Sequence, residues 1–568
     1  MKKTVIFLLS LISLSVACNQ QQQDVPDWNP YDYKIEKKQV VKNGAVVSAH
    51  PLASMAGVHI LKSGGNAVDA AIATQFALAV VYPGAGNLGG GGFLVARLAD
   101  GKNVAIDYRE KAPGAAHRDM YLDSAGNAIE DLSIYGHLAA GVPGTVAGLF
   151  ASAKYGKLPM EKLIAPAIEL AEKGFVITEA EARSLNSLRE KFLKYNTMPT
   201  AFVKEGEWKA GDTLVQTDLA NTLKIISREG MKGFYEGETA KLIVEEMQRG
   251  NGIITLEDLK AYEAKEREPV VFDYKGHEVI TMSLPSSGGI LLPQMLRMTE
   301  PYNIGEKGFH SPEAIQVMIE AERRAYADRA EYMGDPDFVK VPVEKLISRE
   351  YAVSRMKDFT PGKAGKSDNI KAGVVESEET THLSVYDSEG NAVAVTTTLN
   401  GGYGSLVVVG GAGFLLNNEM DDFSVKPGVP NMYGALGAEA NAIVPGKRML
   451  SSMTPTIVVK GGKPWIVVGT PGGTTIPTSV FQSLVNIIDF GLSAEDAVNK
   501  PKFHHQWYPD NVSVERDFPE DVVKALENMG YVIRKRGSIG RTELILIHDD
   551  GSIEAIADKR GDDHASGY

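Results

Sequence analysis

Two stretches in the first hundred residues place apolar side chains three and four positions apart. They are PLASMAGVHILKSG at 51–64 and NAVDAAIATQFALAVV at 66–81. This spacing gathers the apolar side chains on one helical face, so it predicts two helices. Two shorter apolar runs follow, FLVARLAD at 93–100 and NVAIDYRE at 103–110, with Asp100-Gly101 between them. They predict a pair of strands joined by a tight turn.

Further along the chain, the pattern changes from helical to strand-like near residue 380. A polar stretch rich in Gly and Lys lies before the change and predicts a flexible linker. The predicted elements are amphipathic helices over 143–263, strands at 268–274 and 277–283, a long helix at 311–332, the linker at 358–379, and helices at 474–490 and 519–529 among strands after 380. The pattern predicts a mixed α/β (α+β) protein with a helix-rich first part and a strand-rich second part.

Composition narrows the class of protein only a little. The 568 residues are 43% hydrophobic and 23% charged, which is typical of a globular chain that buries a large core. The net charge of −13 argues against nucleic acid as a partner and against a basic membrane-binding face.

The first 18 residues, MKKTVIFLLSLISLSVAC, have the pattern of a secretion signal. Lys2 and Lys3 precede an apolar run at 4–16 that is too short for a membrane span, and small residues lead to Cys18, the single cysteine of the chain. This arrangement is typical of a bacterial lipoprotein. We expect a lipid on Cys18, a flexible tether at 19–40, and a periplasmic or cell-envelope location with the membrane reached only through the lipid.

Two glycine-rich segments are candidates for binding anionic groups. Residues 84–89 spell G-x-G-x-x-G, but a helix precedes them and a strand follows, the reverse of the order in a dinucleotide site. Close backbone packing explains those glycines better. Gly472-Gly473 instead follow a predicted strand and precede a predicted helix, where backbone N–H groups stabilise an oxyanion.

Other reactive residue types lack the spacing that their chemistry needs. His504-His505 have no matching metal ligands, no H-E-x-x-H occurs, and no metal is expected. No G-x-S-x-G motif provides a serine nucleophile. We therefore interpret the two histidines as structural residues.

Two clusters of threonines frame residues 380–398. Thr380 follows the predicted linker directly. If the chain cleaved itself before Thr380, the new α-amino group could accept the hydroxyl proton and make this threonine a nucleophile. From spacing alone, ordinary strand threonines remain the alternative.

The segment TTHLSVYDSEGNAVAVTTTLNGGYG at 380–404 resembles the γ-glutamyltransferase (γ-glutamyltranspeptidase) family of N-terminal nucleophile hydrolases. Further blocks that resemble the family, in order, are HPLASMAGVHILKSGGNAVDAAIA, AIDYREKAP, LLNNEMDDFSVKPGVPNMYG, ANAIVPGKRMLSSMTPTIV, GTPGGTTIPT and HASGY. The resemblance implies a four-layer αββα sandwich, made as a precursor that cleaves itself between Glu379 and Thr380. It implies a large subunit ending at residue 379, folded from about 41, and a small subunit of 380–568.

The resemblance also implies roles for individual residues. Thr380 is the expected nucleophile and Thr398 its supporting threonine, while Gly472 and Gly473 form the oxyanion hole. The residues expected to hold the substrate are Arg109, Ser451 and Ser452 for the α-carboxylate, Asn400, Glu419 and Asp422 for the α-ammonium, and Tyr433 in a lid loop. The expected donors are glutathione and other γ-glutamyl compounds, the acceptors are water, amino acids or peptides, and no cofactor is required.

Two other functions remain open at this point. One is a cephalosporin-acylase-like enzyme acting on glutaryl amides, which lack the α-amino group and would leave Glu419 and Asp422 without a partner. The other is a non-catalytic, lipid-anchored binding protein that kept the fold. Small departures from the family are Glu419, where some relatives have Gln, and Gly401-Gly402, where relatives often have hydroxyl residues.

Overall fold

The core of the molecule is formed by two facing seven-stranded sheets. The structure is a computed structural model that describes residues 28–129, 131–369, 380–426 and 439–568. Its strands, numbered along the chain, are β1 Lys38–Val41, β2 Ala45–Ser48, β3 Gly91–Arg97, β4 Asn103–Asp107, β5 Phe175–Val176, β6 Thr213–Leu214, β7 Lys265–Arg267, β8 Val270–Tyr274, β9 His277–Thr281, β10 Thr381–Tyr386, β11 Ala392–Thr398, β12 Thr456–Lys460, β13 Lys463–Gly469, β14 Phe503–His504, β15 Val512–Glu515, β16 Ile533–Arg536, β17 Glu543–Ile547, β18 Ile553–Ile556 and β19 His564–Gly567.

Helices cover the outer faces of both sheets. They are α1 Pro51–Lys62, α2 Ala67–Val81, α3 Thr145–Ser152, α4 Met160–Lys173, α5 Glu179–Tyr195, α6 Thr217–Glu229, α7 Met231–Tyr235, α8 Glu238–Arg249, α9 Leu256–Lys260, α10 Gly288–Thr299, α11 Ile304–Lys307, α12 Pro312–Tyr332, α13 Val343–Leu346, α14 Arg349–Arg355, α15 Thr475–Ile488, α16 Ala494–Asn499 and α17 Glu520–Asn528.

The two sheets combine strands from both sides of residue 380. One sheet has the order β1-β18-β17-β13-β12-β9-β8, and the other has the order β19-β2-β10-β11-β3-β4-β7. The helix-rich and strand-rich parts of the chain therefore do not fold as separate units. Each sheet needs both parts, so a cut between them would leave the two pieces interleaved.

Three hydrophobic layers separate the helices and sheets. The middle layer lies between the sheets and includes Val47, Phe93, Ile457 and Val467. The outer layers pack α1 and α2 on one sheet and α10, α12 and α15 on the other. The expected four-layer αββα sandwich is the observed architecture.

The predicted elements of the first hundred residues are confirmed, with short shifts at their ends. Local capping defines where the helices begin: Asn66 and Asp69 form a reciprocal capping box at the start of α2. The predicted helices near 311–332, 474–490 and 519–529 correspond to α12, α15 and α17.

The described part of the predicted linker, 358–369, is held in place by polar contacts. Ser367 is fully buried, donates its N–H to Asp510 Oδ2 at 2.8 Å and accepts from Arg323 Nη1 at 2.6 Å. Trp507 Nε1 donates to the carbonyl oxygen of Ser367 at 3.1 Å. Hydrophobic periodicity could not predict this anchor, because its partners are polar side chains distant in sequence.

Candidate active site

The pairing of β10 with β11 positions the two threonine clusters. In this antiparallel pair Thr381 lies opposite Thr397, so the register places Thr380 opposite Thr398 one step further. Both side chains are buried, with 6% of Thr380 and 2% of Thr398 exposed. The two residues singled out from the sequence are thus cross-strand neighbours at the end of the ladder.

Backbone hydrogen bonds fix the orientation of Thr398. Its hydroxyl accepts from the N–H of Asn400 at 2.8 Å, and its carbonyl accepts from Asn87 Nδ2 at 2.9 Å. Asn400 has a φ of +74°, a left-handed conformation that asparagine tolerates better than most residues. Its amide Nδ2 donates to the carbonyl of Asn418 at 3.0 Å, which connects the threonine pair to the segment that carries Glu419 and Asp422.

Gly472 and Gly473 form the turn between β13 and α15, as the sequence predicts. Their φ angles are +133° and +54°, and a Cβ on Gly472 would lie 2.4 Å from Thr475 Oγ1. Only glycine fits such a turn without strain. The turn lies directly before α15, at the end of the helix where the dipole favours negative charge.

Arg109 lies at the centre of a buried cluster of charged side chains. Its Nη1 is 2.5 Å from Glu419 Oε2, its Nη2 donates to Asp422 Oδ2, and Glu110 Oε2 is 3.6 Å from Nη1. Arg109 is 1% exposed, and both Glu419 and Glu110 are fully buried. Three carboxyl groups thus surround a single guanidinium.

The carboxyl groups of this cluster bind protons more tightly than exposed ones do. Burial raises the pKa of Glu110, Glu419 and Asp422, and the positive charge of Arg109 opposes that rise. One guanidinium neutralises one carboxylate, so two further buried carboxylates would be costly if they ionised. A ligand that brings a second positive charge would favour their ionisation.

Two serines follow the residues whose carbonyls Arg109 binds. Arg109 donates to the carbonyls of Met449 and Leu450, the two residues before Ser451. Ser452 Oγ accepts from Arg329 Nη2 at 3.1 Å. Arg329 comes from α12, and one turn earlier on this helix Tyr326 donates to the carbonyl of Thr474. Helix α12 therefore supports both the serine pair and the glycine turn.

The structure brings several of the predicted residues together. Thr380 and Thr398 oppose each other on adjacent strands, Thr398 contacts Asn400, and Arg109 contacts Glu419 and Asp422. Gly472 and Gly473 lie in the turn before α15, and Ser451 and Ser452 follow the two residues whose carbonyls Arg109 binds. Cys18, Glu379 and Tyr433, which was expected in a lid loop, lie outside the described residues.

Sequence reasoning missed two residues of the site. Glu110 directly follows Arg109, but strand alternation would have placed it on the opposite face. Arg329 is 8% exposed within a helix whose sequence indicates only amphipathic packing. For Glu110, the one signal in the sequence was its position directly after Arg109. No signal in the sequence indicated Arg329.

The segments set aside as structural have structural explanations. A Cβ on Gly86 would lie 2.2 Å from the carbonyl oxygen of Leu78, and one on Gly89 would lie 2.1 Å from that of Leu415, which accounts for two glycines of the run at 84–89. His504 is buried, with Nδ1 2.8 Å from Thr478 Oγ1 and Nε2 2.5 Å from Gln506 Oε1. Over the described ranges, no group of three or more His, Cys, Asp or Glu side chains could hold a metal ion.

The residue types present suit acyl transfer to a hydroxyl: a buried threonine pair, a glycine turn before a helix, and a cation among carboxylates. This arrangement, within an αββα sandwich, is the architecture of an N-terminal nucleophile amidohydrolase. Cephalosporin acylase from Bacillus halodurans has a similar structure, with a TM-score of 0.83, 28% sequence identity, and coverage of 96% of this chain and 99% of that chain.

More specific matches define the family. The model of the gamma-glutamyltranspeptidase family matches residues 53–568, so the chain belongs to this family. It is similar to a glutathione hydrolase proenzyme of Escherichia coli, with 49% identity over 554 residues and 96% of each chain covered. It also resembles the crystal structure of Helicobacter pylori gamma-glutamyltranspeptidase, with a TM-score of 0.57, 48% identity, and coverage of 60% of this chain and 97% of that chain. The expected family and fold are confirmed.

Proposed function

We propose that this enzyme cleaves the γ-glutamyl amide bond of glutathione and related compounds. The γ-glutamyl group passes to the Thr380 hydroxyl as an ester and then to water or to an amino acid or peptide acceptor. This activity agrees with the name glutathione hydrolase borne by the Escherichia coli relative. The buried contact of Arg109 with both Glu419 and Asp422 carries the proposal, because it matches the two charges of a γ-glutamyl α-carbon.

Each end of the substrate has a matching group in this proposal. The α-carboxylate replaces a carboxyl group on Arg109, whose planar donors can bind it in fork geometry next to Ser451 and Ser452. The α-ammonium then pairs with the carboxyl groups of Glu419 and Asp422 that Arg109 releases. The γ-carbonyl reaches Thr380, and the amides of Gly472 and Gly473 stabilise the oxyanion that forms.

Thr380 acts in this proposal only after the chain has cleaved itself. Attack of its hydroxyl on the carbonyl of Glu379 would break the C–N bond and move the acyl group of Glu379 onto the threonine oxygen as an ester. Water would then hydrolyse the ester, leaving a carboxylate on Glu379, a free hydroxyl on Thr380, and an α-amino group with a pKa of about 8 that can act as the general base. The word proenzyme in the name of the Escherichia coli relative supports such processing. The products are a large subunit ending at Glu379 and a small subunit of 380–568. Because both sheets contain strands from each side of residue 380, the subunits remain associated as a heterodimer.

We also propose that the enzyme acts outside the cytoplasm, attached by a lipid on Cys18. The charged and apolar segments of residues 1–18 and the polar tether at 19–40 support this location. None of the helices that the structure describes is both long and apolar enough to cross a bilayer.

The alternative function, a glutaryl acylase, would use a substrate that differs from a γ-glutamyl compound in one group, the α-ammonium. The structural similarity to a cephalosporin acylase keeps it under consideration. A glutaryl group has no ammonium, so it would leave Glu419 and Asp422 buried without a positive partner other than Arg109. The number of carboxyl groups around Arg109 therefore favours γ-glutamyl substrates.

The deciding assay compares two chromogenic anilides, γ-glutamyl-p-nitroanilide and glutaryl-p-nitroanilide, with and without glycylglycine. We expect release of nitroaniline from the γ-glutamyl compound at a kcat/KM at least about 100-fold higher, since an uncompensated buried charge costs several kcal/mol. We also expect faster release when glycylglycine is present. Equal rates on both anilides would contradict the assignment, and a denaturing gel of the same sample would report the two predicted fragments.

A further inference from the structure

A cavity of about 510 Å³ has no part in the mechanism described so far. It combines aromatic, glycine and charged residues from five segments of the chain. The residues that line it and enter the argument are Tyr82, Glu181, Gly402, Arg541, Arg560 and Asp562.

Two walls of this cavity continue into the proposed active site. Gly402 lies two residues after Asn400, on the loop that leaves the end of β11. On the other wall, Arg541 follows Gly540, whose Cα would be 3.4 Å from a Cβ placed on Gly472. The cavity is therefore lined by the loop that follows Asn400 and by a residue next to the glycine turn, since the N–H of Arg541 also donates to Thr470 Oγ1 at 2.8 Å.

The side chain of Arg541 is held in place without using all its donors. Its Nε and Nη2 donate to the two carboxylate oxygens of Asp563 at 3.1 and 2.8 Å, and Nη1 donates to Tyr82 Oη at 2.6 Å. A Cβ on Gly561 would lie 2.3 Å from Arg541 Nε, so the guanidinium rests on a residue without a side chain. Of its five N–H groups, two have no partner among the described residues.

Arg560, the other arginine of the cavity, uses all five of its N–H groups in hydrogen bonds. Its Nε and Nη2 bind Glu515, its Nη1 binds Asp558, and the remaining N–H groups bind the carbonyls of Val498 and Lys500. Among the cavity residues that the structure describes, Arg541 is thus the guanidinium able to accept an anion.

The acidic residues of the cavity restrict which ligands fit. Asp562 accepts from Thr178 Oγ1 at 2.7 Å, and Glu181 lies in the first turn of α5. Burial raises the pKa of Glu181 to about 7, so this carboxyl carries only part of its charge at neutral pH. A ligand that bears one carboxylate and also N–H groups could bind Arg541 with the former and face these acids with the latter.

We propose that Arg541 binds the carboxylate of the dipeptide part of the substrate. In glutathione this part is the leaving cysteinylglycine, and in transfer it is the acceptor that takes its place. The inference rests on the proposed acyl-enzyme function. In the transfer step, the acceptor amine attacks the ester carbonyl, a C–N bond forms, the C–O bond to Thr380 breaks, and one amine proton passes to the threonine oxygen.

The test compares glycylglycine and glutathione with their C-terminal amides, so that each pair of compounds differs by one negative charge. With γ-glutamyl-p-nitroanilide as donor, we expect the acceptor KM of glycylglycine to be about tenfold lower than that of glycylglycinamide, as a charge-assisted hydrogen bond allows. As donors, we expect glutathione to be preferred over its C-terminal amide by a similar factor. In Arg541→Gln both preferences should fall to within about twofold.

The ratio of acid to amide is the readout, so a general loss of activity does not affect it. Arg183→Gln removes an exposed arginine of α5 outside the cavity and should keep the wild-type ratio. If Arg541→Gln does not fold, Tyr82→Phe and Arg541→Lys provide the test: Tyr82→Phe removes one contact and should lower the ratio severalfold, whereas Arg541→Lys should keep part of it. A wild-type enzyme with no preference for the acids, or a variant that keeps it in full, would overturn the inference. Absence of any cleavage of the γ-glutamyl anilide would instead contradict the proposed function.

Discussion

The two ends of the proposed substrate site are built in different ways. At one end, the buried side chains of Arg109 and Glu419 meet the partly buried Asp422, from segments more than 300 residues apart. At the other end, Thr380 and Thr398 oppose each other on adjacent strands, and Gly472-Gly473 contribute only backbone. The first end distinguishes substrates by charge, and the second positions one hydroxyl and its oxyanion.

This difference determines how substitutions should behave. A change at the charged end should alter the preference between related substrates, because each charge on the ligand has its own partner. A change at the threonine end should affect all substrates equally, since every substrate passes through the same ester. The following experiments test that separation.

The largest effect should come from Thr380→Ala. We expect no fragments on a denaturing gel and a loss of kcat of at least about 10³-fold, because the variant lacks the nucleophile for processing and for turnover. Thr381→Val is the matched control: its Oγ1 is buried without a hydrogen-bond partner among the described residues, so the isosteric change should leave processing intact. A processed and active Thr380→Ala enzyme would exclude this residue as nucleophile.

The threonine end could be predicted better from the sequence than the charged end, because the two ends are built differently. The threonine end lies within short, regular segments, where strand pairing and the glycine turn extend local patterns. The family resemblance was needed to choose Thr380 among five threonines. At the charged end, the resemblance supplied Arg109, Glu419 and Asp422, but Glu110 and Arg329 depend on tertiary contacts that no local pattern encodes.

The fold divides in a similar way. Helices α1, α2, α12 and α15 could be predicted because apolar spacing is local, and the first three also begin at a local capping residue. The interleaving of strands from both sides of residue 380 could not be derived from periodicity, because strand order depends on long-range pairing. The anchor at Ser367 was missed for the same reason.

A second experiment addresses the charged end directly. Asp422→Asn should lower kcat/KM for the γ-glutamyl anilide by roughly 30- to 100-fold, since a buried ion pair with the α-ammonium is lost. The kcat/KM for the glutaryl anilide should change by less than about threefold. Asp421→Asn, an adjacent buried change whose partner is Ser133, should keep the ratio of the two substrates constant. Equal losses on both substrates in Asp422→Asn would contradict its role.

The third experiment uses pH. In the empty site, burial raises the pKa of Glu110, Glu419 and Asp422, so the cluster retains protons that an ammonium would displace. Binding of L-glutamate should release protons, and its affinity should increase as pH rises, by at most about tenfold per pH unit for each proton released. Glutarate, which lacks the ammonium, should show no such increase. Calorimetry in buffers of different ionisation enthalpy, between pH 6 and 8.5, measures the released protons.

The smallest predicted effect concerns the contact between Ser452 and Arg329. Ser452→Ala removes a hydroxyl that accepts one hydrogen bond at 3.1 Å, so donor binding should weaken by about 1 kcal/mol, or roughly fivefold in KM, with little change in kcat. Since Ser452 is expected to contact the α-carboxylate, and the glutaryl group carries a carboxylate at the same position, the effect should be similar for both anilides. A fall in kcat with unchanged KM would instead mean that Ser452 acts in the chemical step, as the threonine end does. It would contradict the separation between substrate recognition and chemistry at this residue.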